Sequence, residues 1–150
     1  MEIQIREFKR NDTARIQEIH ALCGNQFQFP TISGEFILYL ANLKNFKLLC
    51  AEHGGMVKGF AGAQYYRSVH RAELGPVAVD PKYAGESIGS NLVSGMLEFL
   101  AGIGIGRVIL RIKARNRRGI VFFVKQGFKT EAYLEKYVNE EDALQMVRFL

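Results

Sequence analysis

Two spacings of hydrophobic residues alternate along the chain, and each change of spacing marks the border of a predicted element. Strand-like apolar runs occur at residues 3–8, 46–52, 56–66, 72–79, 108–115, 128–137 and 143–150. Apolar residues three or four positions apart, which are typical of helices, occur at residues 16–22, 36–43, 88–103 and 116–126. The order β-α-α-β-β-β-α-β-α-β-β predicts an α/β (α+β) fold with a mixed sheet.

Polar residues and glycines stand where these elements begin and end. Thr31 or Ser33 is expected as the N-cap of the second helix and Asn116 as that of the fourth, and Gly127 occupies the C′ position after the fourth. Gly54 and Gly55 separate two strand-like runs, which predicts a hairpin. Because no repeat or linker interrupts the pattern, a single domain over residues 1–150 is expected.

Composition narrows the class of protein. The 150 residues are 48% hydrophobic and 23% charged, which is ordinary for a globular chain and excludes disorder. The two cysteines, Cys23 and Cys50, are too few for a disulfide framework and suggest a reducing compartment. Charges near the amino terminus argue against a secretory signal, and no apolar run approaches the roughly 20 residues that span a bilayer. We therefore expect a soluble, cytoplasmic protein without a membrane partner.

Positive charge is concentrated in one segment. The 20 basic and 15 acidic residues give a net charge of +5, yet residues 99–129 carry eight basic residues and no acidic one, so the remainder sums to 5 − 8 = −3. Such a block indicates an anionic partner or a solvated face. The basic residues are Arg107, Arg111, Lys113, Arg115, Arg117, Arg118, Lys125 and Lys129.

The loop between the strand at residues 72–79 and the helix at residues 88–103 carries the clearest chemical signal. It contains Gly85 and, at the helix start, Gly89. Such a loop can aim several backbone N–H groups at one point beside the positive end of a helix dipole, where a pyrophosphate would fit. An ordinary tight strand–helix turn is the alternative interpretation of the glycines alone.

Two segments together resemble a known family. Residues 77–92 and residues 116–128, spaced as they are in an otherwise matching element order, resemble the GNAT superfamily of acyl-CoA N-acyltransferases. The resemblance covers nearly the whole chain. It implies a single-domain GNAT-like fold with a mixed, mostly antiparallel sheet of six to seven strands and about four helices. It also implies acetyl-CoA as co-substrate.

The resemblance assigns cofactor roles to individual positions. It implies that backbone groups of the strand bind the pantetheine arm, that the loop amides hold the pyrophosphate and that an asparagine of the second motif contacts the cofactor. These positions are Val77, Ala78, Val79, Gly85, Glu86, Ser87, Ile88, Gly89, Ser90 and Asn116. No histidine or cysteine has metal-ligand spacing, so no metal site is predicted.

The strand before the loop also carries the expected catalytic groups. Pro76 cannot donate to a ladder, so it belongs at a bulge or at a sheet edge. A bulge at Gly75-Pro76 would turn the N–H of Val77 toward a thioester carbonyl. Glu73 lies four residues earlier, where the histone-acetylating branch of the family has a glutamate that acts as base. The alternative for Glu73 is a solvated strand glutamate or a partner of Arg71 or a lysine. His70 is a weaker candidate base.

Three positions depart from the family pattern. Ala84 replaces the usual Arg or Gln, and Ser87 replaces a glycine, so a positive φ at Ser87 would cost of order 1 kcal/mol. Phe123 occupies the position of the usual general-acid tyrosine and has no hydroxyl. The substitutes open to the chain are a water molecule or the hydroxyl groups of other residues, namely Tyr65, Tyr66 and Tyr133.

The expected reaction is transfer of an acetyl group from acetyl-CoA to a primary amine by direct attack. The alternative is a CoA-binding or regulatory module of the same fold that has lost turnover. A nucleic-acid-binding domain ranks third, because no recognised motif accompanies the basic block and CoA phosphates explain it better. The resemblance implies that the acceptor, a small-molecule or peptide amine, is selected by the first two helices, their loop at residues 24–33 and the last hairpin. Final strands of such sheets often pair between subunits, which leaves a homodimer open.

Overall fold

One seven-stranded sheet with four α-helices forms the part of the chain that the computed structural model describes, residues 2–150. The strands are β1 (Gln4–Glu7), β2 (Phe46–His53), β3 (Met56–Tyr66), β4 (Arg71–Val79), β5 (Arg107–Lys113), β6 (Lys129–Val138) and β7 (Glu141–Phe149). The helices are α1 (Thr13–Leu22), α2 (Gly34–Ala41), α3 (Ile88–Gly102) and α4 (Arg117–Lys125). The predicted order of elements is confirmed. Among the described residues, no helix has the length and hydropathy of a membrane span.

The sheet order is β1-β2-β3-β4-β5-β7-β6, and every pairing is antiparallel except that of β4 with β5. The predicted mixed, mostly antiparallel sheet is therefore confirmed. Alternation along each strand divides its side chains between two faces. One face packs against α3, whose residues Leu92, Met96 and Leu100 are fully buried at helical spacing. The other face is covered by α1 and α2, with Ile16 and Ile37 in a second core.

The parallel contact between β4 and β5 is short. Only three residue pairs join the strands, and the last of them is Glu73 with Ile109. Beyond that point β5 pairs with β7 alone, while β4 pairs with β3 through a register shift opposite Gly75 and Pro76. The bulge expected at Gly75-Pro76 is confirmed. The two strands consequently diverge and leave an opening in the middle of the sheet.

A buried ionic cluster fixes the first strand to the start of α1. The guanidinium of Arg6 donates to both carboxylate oxygens of Asp12, at 2.8 and 3.0 Å, and to Glu52 at 2.9 Å. Asp12 is only 7% exposed and also accepts the Lys9 backbone N–H at 2.7 Å. Hydrogen bonding from Arg6 outweighs desolvation by burial and holds the pKa of Asp12 below its ordinary value.

Replacement of Asp12 by Asn should lower the free energy of unfolding by about 3 kcal/mol, because it leaves a largely buried guanidinium short of its main partner. Chemical denaturation at pH 7 measures this loss. The matched control is Glu7→Gln, which removes the exposed partner of Lys47 and should cost less than about 1 kcal/mol. Equal losses in the two variants would contradict the role of the buried cluster.

Stability should also depend on pH through Asp12. A lowered folded-state pKa contributes stability that is complete above the unfolded value, about 3.9, and is lost as the pH falls through the folded value. The wild-type protein should therefore lose more stability than Asp12→Asn as the pH falls below about 4. Parallel acid dependences of the two free energies of unfolding would show that Asp12 does not titrate as described.

Candidate functional site

Hydrogen-bond alternation decides which backbone groups of β4 face the opening. The Asp80 N–H donates to the Lys58 carbonyl at 2.9 Å, just beyond the end of β4. In an antiparallel pair, hydrogen-bonded and non-hydrogen-bonded positions alternate. Ala78, two residues before Asp80, is therefore bonded to its partner Phe60, and its backbone belongs to the sheet.

Val77 and Val79 occupy the intervening positions, so their backbone N–H and C=O groups point away from β3. On that side β5 has already diverged, and these groups face the opening. The Val79 carbonyl accepts a hydrogen bond from the Cys23 thiol at 3.3 Å. Of the three strand positions predicted to bind a pantetheine arm, the structure thus offers Val77 and Val79, while the backbone of Ala78 is used by β3.

The loop that follows β4 is anchored by Asp80. Its carboxylate accepts the Lys82 backbone N–H at 3.0 Å and pairs with Arg15 at 2.7 Å, and Arg15 also donates to the Val57 carbonyl. Burial desolvates Asp80, but the hydrogen bonds from Arg15 and Lys82 hold its pKa below the ordinary value. The carboxylate is therefore charged at neutral pH and ties the loop to α1.

The start of α3 presents free backbone donors. Gly85 and Ser87 have positive φ angles of 83° and 65°, so Ser87 does adopt the left-handed conformation whose cost was considered above. Ser87 is the N-cap, and its hydroxyl makes no capping bond. The first N–H groups of a helix have no acceptor within it, so those of Ile88 and Gly89 lie at the positive end of a 15-residue helix. This geometry suits an anion.

Glu73 stands where β4 and β5 separate. Its neighbours Ala72 and Leu74 are buried against α3, so its side chain is on the opposite face of the sheet, 43% exposed. The carboxylate accepts a hydrogen bond from Arg111 at 2.9 Å. Glu73 does have an arginine partner, but that partner is on β5 and not the neighbouring Arg71.

Arg111 connects Glu73 to a row of polar groups across the sheet. It donates to Gln145 at 3.1 Å, Gln145 donates to Glu131 at 2.8 Å, and Glu131 pairs with Arg107. A solvated face was one of the two alternatives for the basic block of residues 99–129. At Arg107 and Arg111 the bases are instead ion-paired with carboxylates of neighbouring strands.

Lys113 departs furthest from that expectation. It is only 6% exposed, whereas a basic face would place it in solvent. Its ammonium pairs with Glu141 at 3.2 Å, and Glu141 also pairs with the exposed Arg115. Four of the eight basic residues are thus ion-paired, with three carboxylates between them, because Lys113 and Arg115 share Glu141. The other four form no ion pair within residues 2–150, and they are Arg117, Arg118, Lys125 and Lys129.

The fourth helix carries the second motif. Asn116 is its N-cap, and its side-chain oxygen accepts the Gly119 N–H at 3.0 Å, as predicted. Phe123 packs edge-on against Phe122 and Phe128, with ring centroids 5.0 and 5.7 Å away. Both rings are partly buried against the core beneath α3. No hydroxyl is present at Phe123.

Two of the tyrosines considered as substitutes for that hydroxyl have other partners. The Tyr65 hydroxyl donates to the Lys44 carbonyl at 3.0 Å, and the Tyr133 hydroxyl donates to Asp142. Tyr137, which the sequence did not single out, lies over the Arg111 guanidinium at 5.5 Å. Within residues 2–150 no group of histidine, cysteine and acidic residues could hold a metal ion.

Neither thiol is suited to act as a nucleophile. Burial raises the pKa of Cys50 to about 12, and it raises that of Cys23 as well. Both thiols are therefore protonated at neutral pH. A covalent intermediate on cysteine is therefore not supported.

The α1–α2 loop, residues 24–33, closes one side of this region. Its Asn25 carbonyl accepts from Lys113 at 3.0 Å, and its Gln28 carbonyl accepts from Asn139, in the turn between β6 and β7, at 2.9 Å. Sequence reasoning missed Lys113 and Arg111 as site residues. Period-two spacing of bases was visible, but their partners lie on strands distant in sequence.

Comparison with known proteins agrees with this geometry. The model of the "Acetyltransferase (GNAT) family" matches residues 14–128. The curated N-alpha-acetyltransferase RimI of Mycobacterium tuberculosis is 29% identical over 102 residues, which are 65% of this chain. The chain spans only 63% of the length of that relative.

Solved structures extend the likeness to the whole fold. The Ard1 structure from Thermoplasma volcanium has a TM-score of 0.88 and 25% identity, over 100% of this chain and 99% of that one. The putative acetyltransferase yncA from Salmonella typhimurium, solved with its cofactor acetyl-CoA, has a TM-score of 0.87 and 21% identity, over 100% and 95%. The predicted family and fold are both confirmed, and the family supports the expected acyl-CoA-dependent acetyltransferase. This chain belongs to the acetyltransferase (GNAT) family.

Proposed function

We propose that residues 1–150 work as one cytoplasmic N-acetyltransferase domain that moves an acetyl group from acetyl-CoA to a primary amine by direct attack. The observation that carries the proposal is the opening between β4 and β5. The backbone groups of Val77 and Val79 face it, and it lies beside the uncapped start of α3. An extended amide-bearing arm that ends in a pyrophosphate matches both features.

The residues present fit acetyl-CoA in three places. The outward backbone of Val77 and Val79 would bind the pantetheine arm as an added strand does. The amides from Gly85 to Ser90 would hold the pyrophosphate with the help of the helix dipole. The side-chain NH₂ of Asn116, whose oxygen is used in capping, would donate to the cofactor. Bound acetyl-CoA supplies an activated acyl group with a thiol leaving group.

Glu73 would serve as the proton acceptor of the reaction. An ammonium has no lone pair, so the acceptor must lose a proton before it attacks. The carboxylate would take that proton, directly or through a water molecule, while the N–H of Val77 stabilises the charge that develops on the carbonyl oxygen. The nitrogen would attack the thioester carbon, so that the C–N bond forms and the C–S bond breaks. The nitrogen would release its second proton to water, and the departing thiolate would take up a proton from water in exchange.

The acceptor would be a small-molecule or peptide amine. The curated relative is named for acetylation of an α-amine, which favours peptides with a free amino terminus as the first compounds to test. The polar row formed by Glu73, Arg111 and Gln145 runs from the opening across the exposed sheet face. It gives an acceptor charged and amide groups to bind.

A second candidate, a CoA-binding module without turnover, is favoured by Phe123. Loss of a general acid typically costs about 10²–10⁴ in rate. Glu73 and the outward amides of β4 are retained, so the enzyme remains the stronger proposal. Turnover with an amine separates the two.

Acetyl-CoA should bind to the protein alone, but it should be consumed only when an acceptor amine is present. At 100 times its Kd it should stabilise the fold by about 2.7 kcal/mol in a thermal-shift assay. Thiol release should then be measured on a panel of peptides with free α-amines, a lysine peptide with a blocked amino terminus, and a polyamine. Absence of a shift at millimolar acetyl-CoA would contradict the proposal, and a shift without thiol release would favour the binding module.

Replacement of Glu73 by Gln should lower kcat/KM by about 10²–10⁴ and leave acetyl-CoA binding intact, because the variant loses only the proton acceptor. The matched control is Glu135→Gln, an exposed glutamate of β6, which should keep wild-type rates. Equal rates in all three proteins would show that Glu73 is a solvated strand residue.

Replacement of Ser87 by Gly should raise the free energy of unfolding by up to about 1 kcal/mol, since the position has a left-handed φ and no capping bond. Its backbone N–H is kept, so the Kd for acetyl-CoA should stay within about threefold, well under the 1.4 kcal/mol that a tenfold change represents. Calorimetric titration checks this. A large loss of affinity would mean that the Ser87 hydroxyl, and not the amide, holds the phosphate.

Replacement of Phe123 by Tyr should raise kcat by roughly tenfold or more if the ring position is that of the missing general acid. The matched control is Phe122→Tyr, one residue earlier on α4, which should not accelerate turnover. Steady-state kinetics at neutral pH measure both. An unchanged kcat in Phe123→Tyr would show that this position does not serve the leaving thiolate.

A further inference from the structure

We propose that Lys113 is a positioning residue for the amine acceptor, whose buried ammonium fixes the α1–α2 loop beside the opening between β4 and β5. The acceptor affinity would then depend on a lysine that does not itself touch the reacting atoms. This inference rests on the proposed function, because it concerns the acceptor side of the same site.

Lys113 is buried, and its two partners lie on different elements. It is the last residue of β5 and is 6% exposed. A buried ammonium is destabilising unless it is paired and hydrogen-bonded. Two groups meet that need: the Asn25 carbonyl at 3.0 Å and the Glu141 carboxylate at 3.2 Å. The first belongs to the α1–α2 loop and the second begins β7, so one side chain joins three elements.

The α1–α2 loop is fixed between β4 and the β6–β7 turn. At one end, the Cys23 thiol bonds the Val79 carbonyl, which faces the opening. At the other side, Gln28 accepts from Asn139 in the β6–β7 turn. Asn25, the loop residue that Lys113 contacts, lies between Cys23 and Gln28 in the sequence. The loop therefore borders the opening on the face that carries Glu73, where an amine must arrive.

Removal of the Lys113 ammonium would affect its two partners, Glu141 and the Asn25 carbonyl, differently. Glu141 is partly exposed and keeps Arg115 as a partner, so no buried carboxylate is left unpaired. The loop, in contrast, loses the charged donor of its Asn25 carbonyl. An acceptor would then have to order the loop on binding, and that cost lowers its affinity. The chemical step at the opening would be unaffected.

The experiment compares Lys113→Met with Arg115→Met, which removes the exposed partner of the same carboxylate. With the best free-α-amine peptide of the panel, Lys113→Met should raise the acceptor KM roughly tenfold or more, as expected for the loss of a charged hydrogen bond. Its kcat and its KM for acetyl-CoA should stay within about twofold, as should all constants of Arg115→Met.

Hydrogen exchange of the unliganded proteins gives a readout that does not depend on turnover. Amides in residues 24–33 should exchange faster in Lys113→Met than in the wild type or Arg115→Met. If Lys113→Met does not fold, Lys113→Gln, which keeps a neutral donor, takes its place and should show the same changes more weakly. Unchanged exchange in these amides, or a fall in kcat with an unchanged acceptor KM, would overturn the proposal.

The two proposals fail in different ways. If no amine of the panel is acetylated by the wild-type protein, the proposed function is wrong. Faster exchange confined to residues 24–33 in Lys113→Met would then still support the fixing of the loop by Lys113. If turnover is present and the acceptor KM is the same in wild type and Lys113→Met, the positioning role is wrong while the proposed function stands.

Discussion

The structure depends on how briefly β4 and β5 pair. Three residue pairs are enough to continue the sheet, and the bulge at Gly75-Pro76 then turns β4 away. The break would be costly in an ordinary sheet, because it leaves backbone donors and acceptors without partners. Here those groups belong to Val77 and Val79 and face an opening next to the start of α3. The same constraint places Glu73 at the point where the strands separate.

On β5, the neighbours of a charged residue in the sheet, and not its neighbours in the sequence, determine its ion-pair partner. The bases of β5 pair with carboxylates of the neighbouring strands: Arg111 with Glu73 of β4, Arg107 with Glu131 of β6 and Lys113 with Glu141 of β7. The bases without ion pairs lie on and after α4. Two of them, Lys125 and Lys129, line a shallow basic cleft together with Arg148.

Local rules predicted the elements but not their partners. Helical spacing gave α3, and side-chain chemistry gave the cap at Asn116, because both depend on residues close in sequence. The bulge followed from the missing N–H of Pro76. The pairing of Glu73 with Arg111 and the burial of Lys113 depend on strand order, with partners 38 and 88 residues away. No local pattern encodes those contacts.

The proposed enzyme would bind acetyl-CoA along β4 and at the start of α3. Amide resonances of the isotopically labelled protein, followed during titration with acetyl-CoA, report where the ligand binds. The largest shifts should occur at Val77, Val79 and residues 85–90, and the Ala78 amide should be less affected because it is bonded to β3. Shifts concentrated in the basic cleft, with Val77 and Val79 unchanged, would contradict this mode of binding.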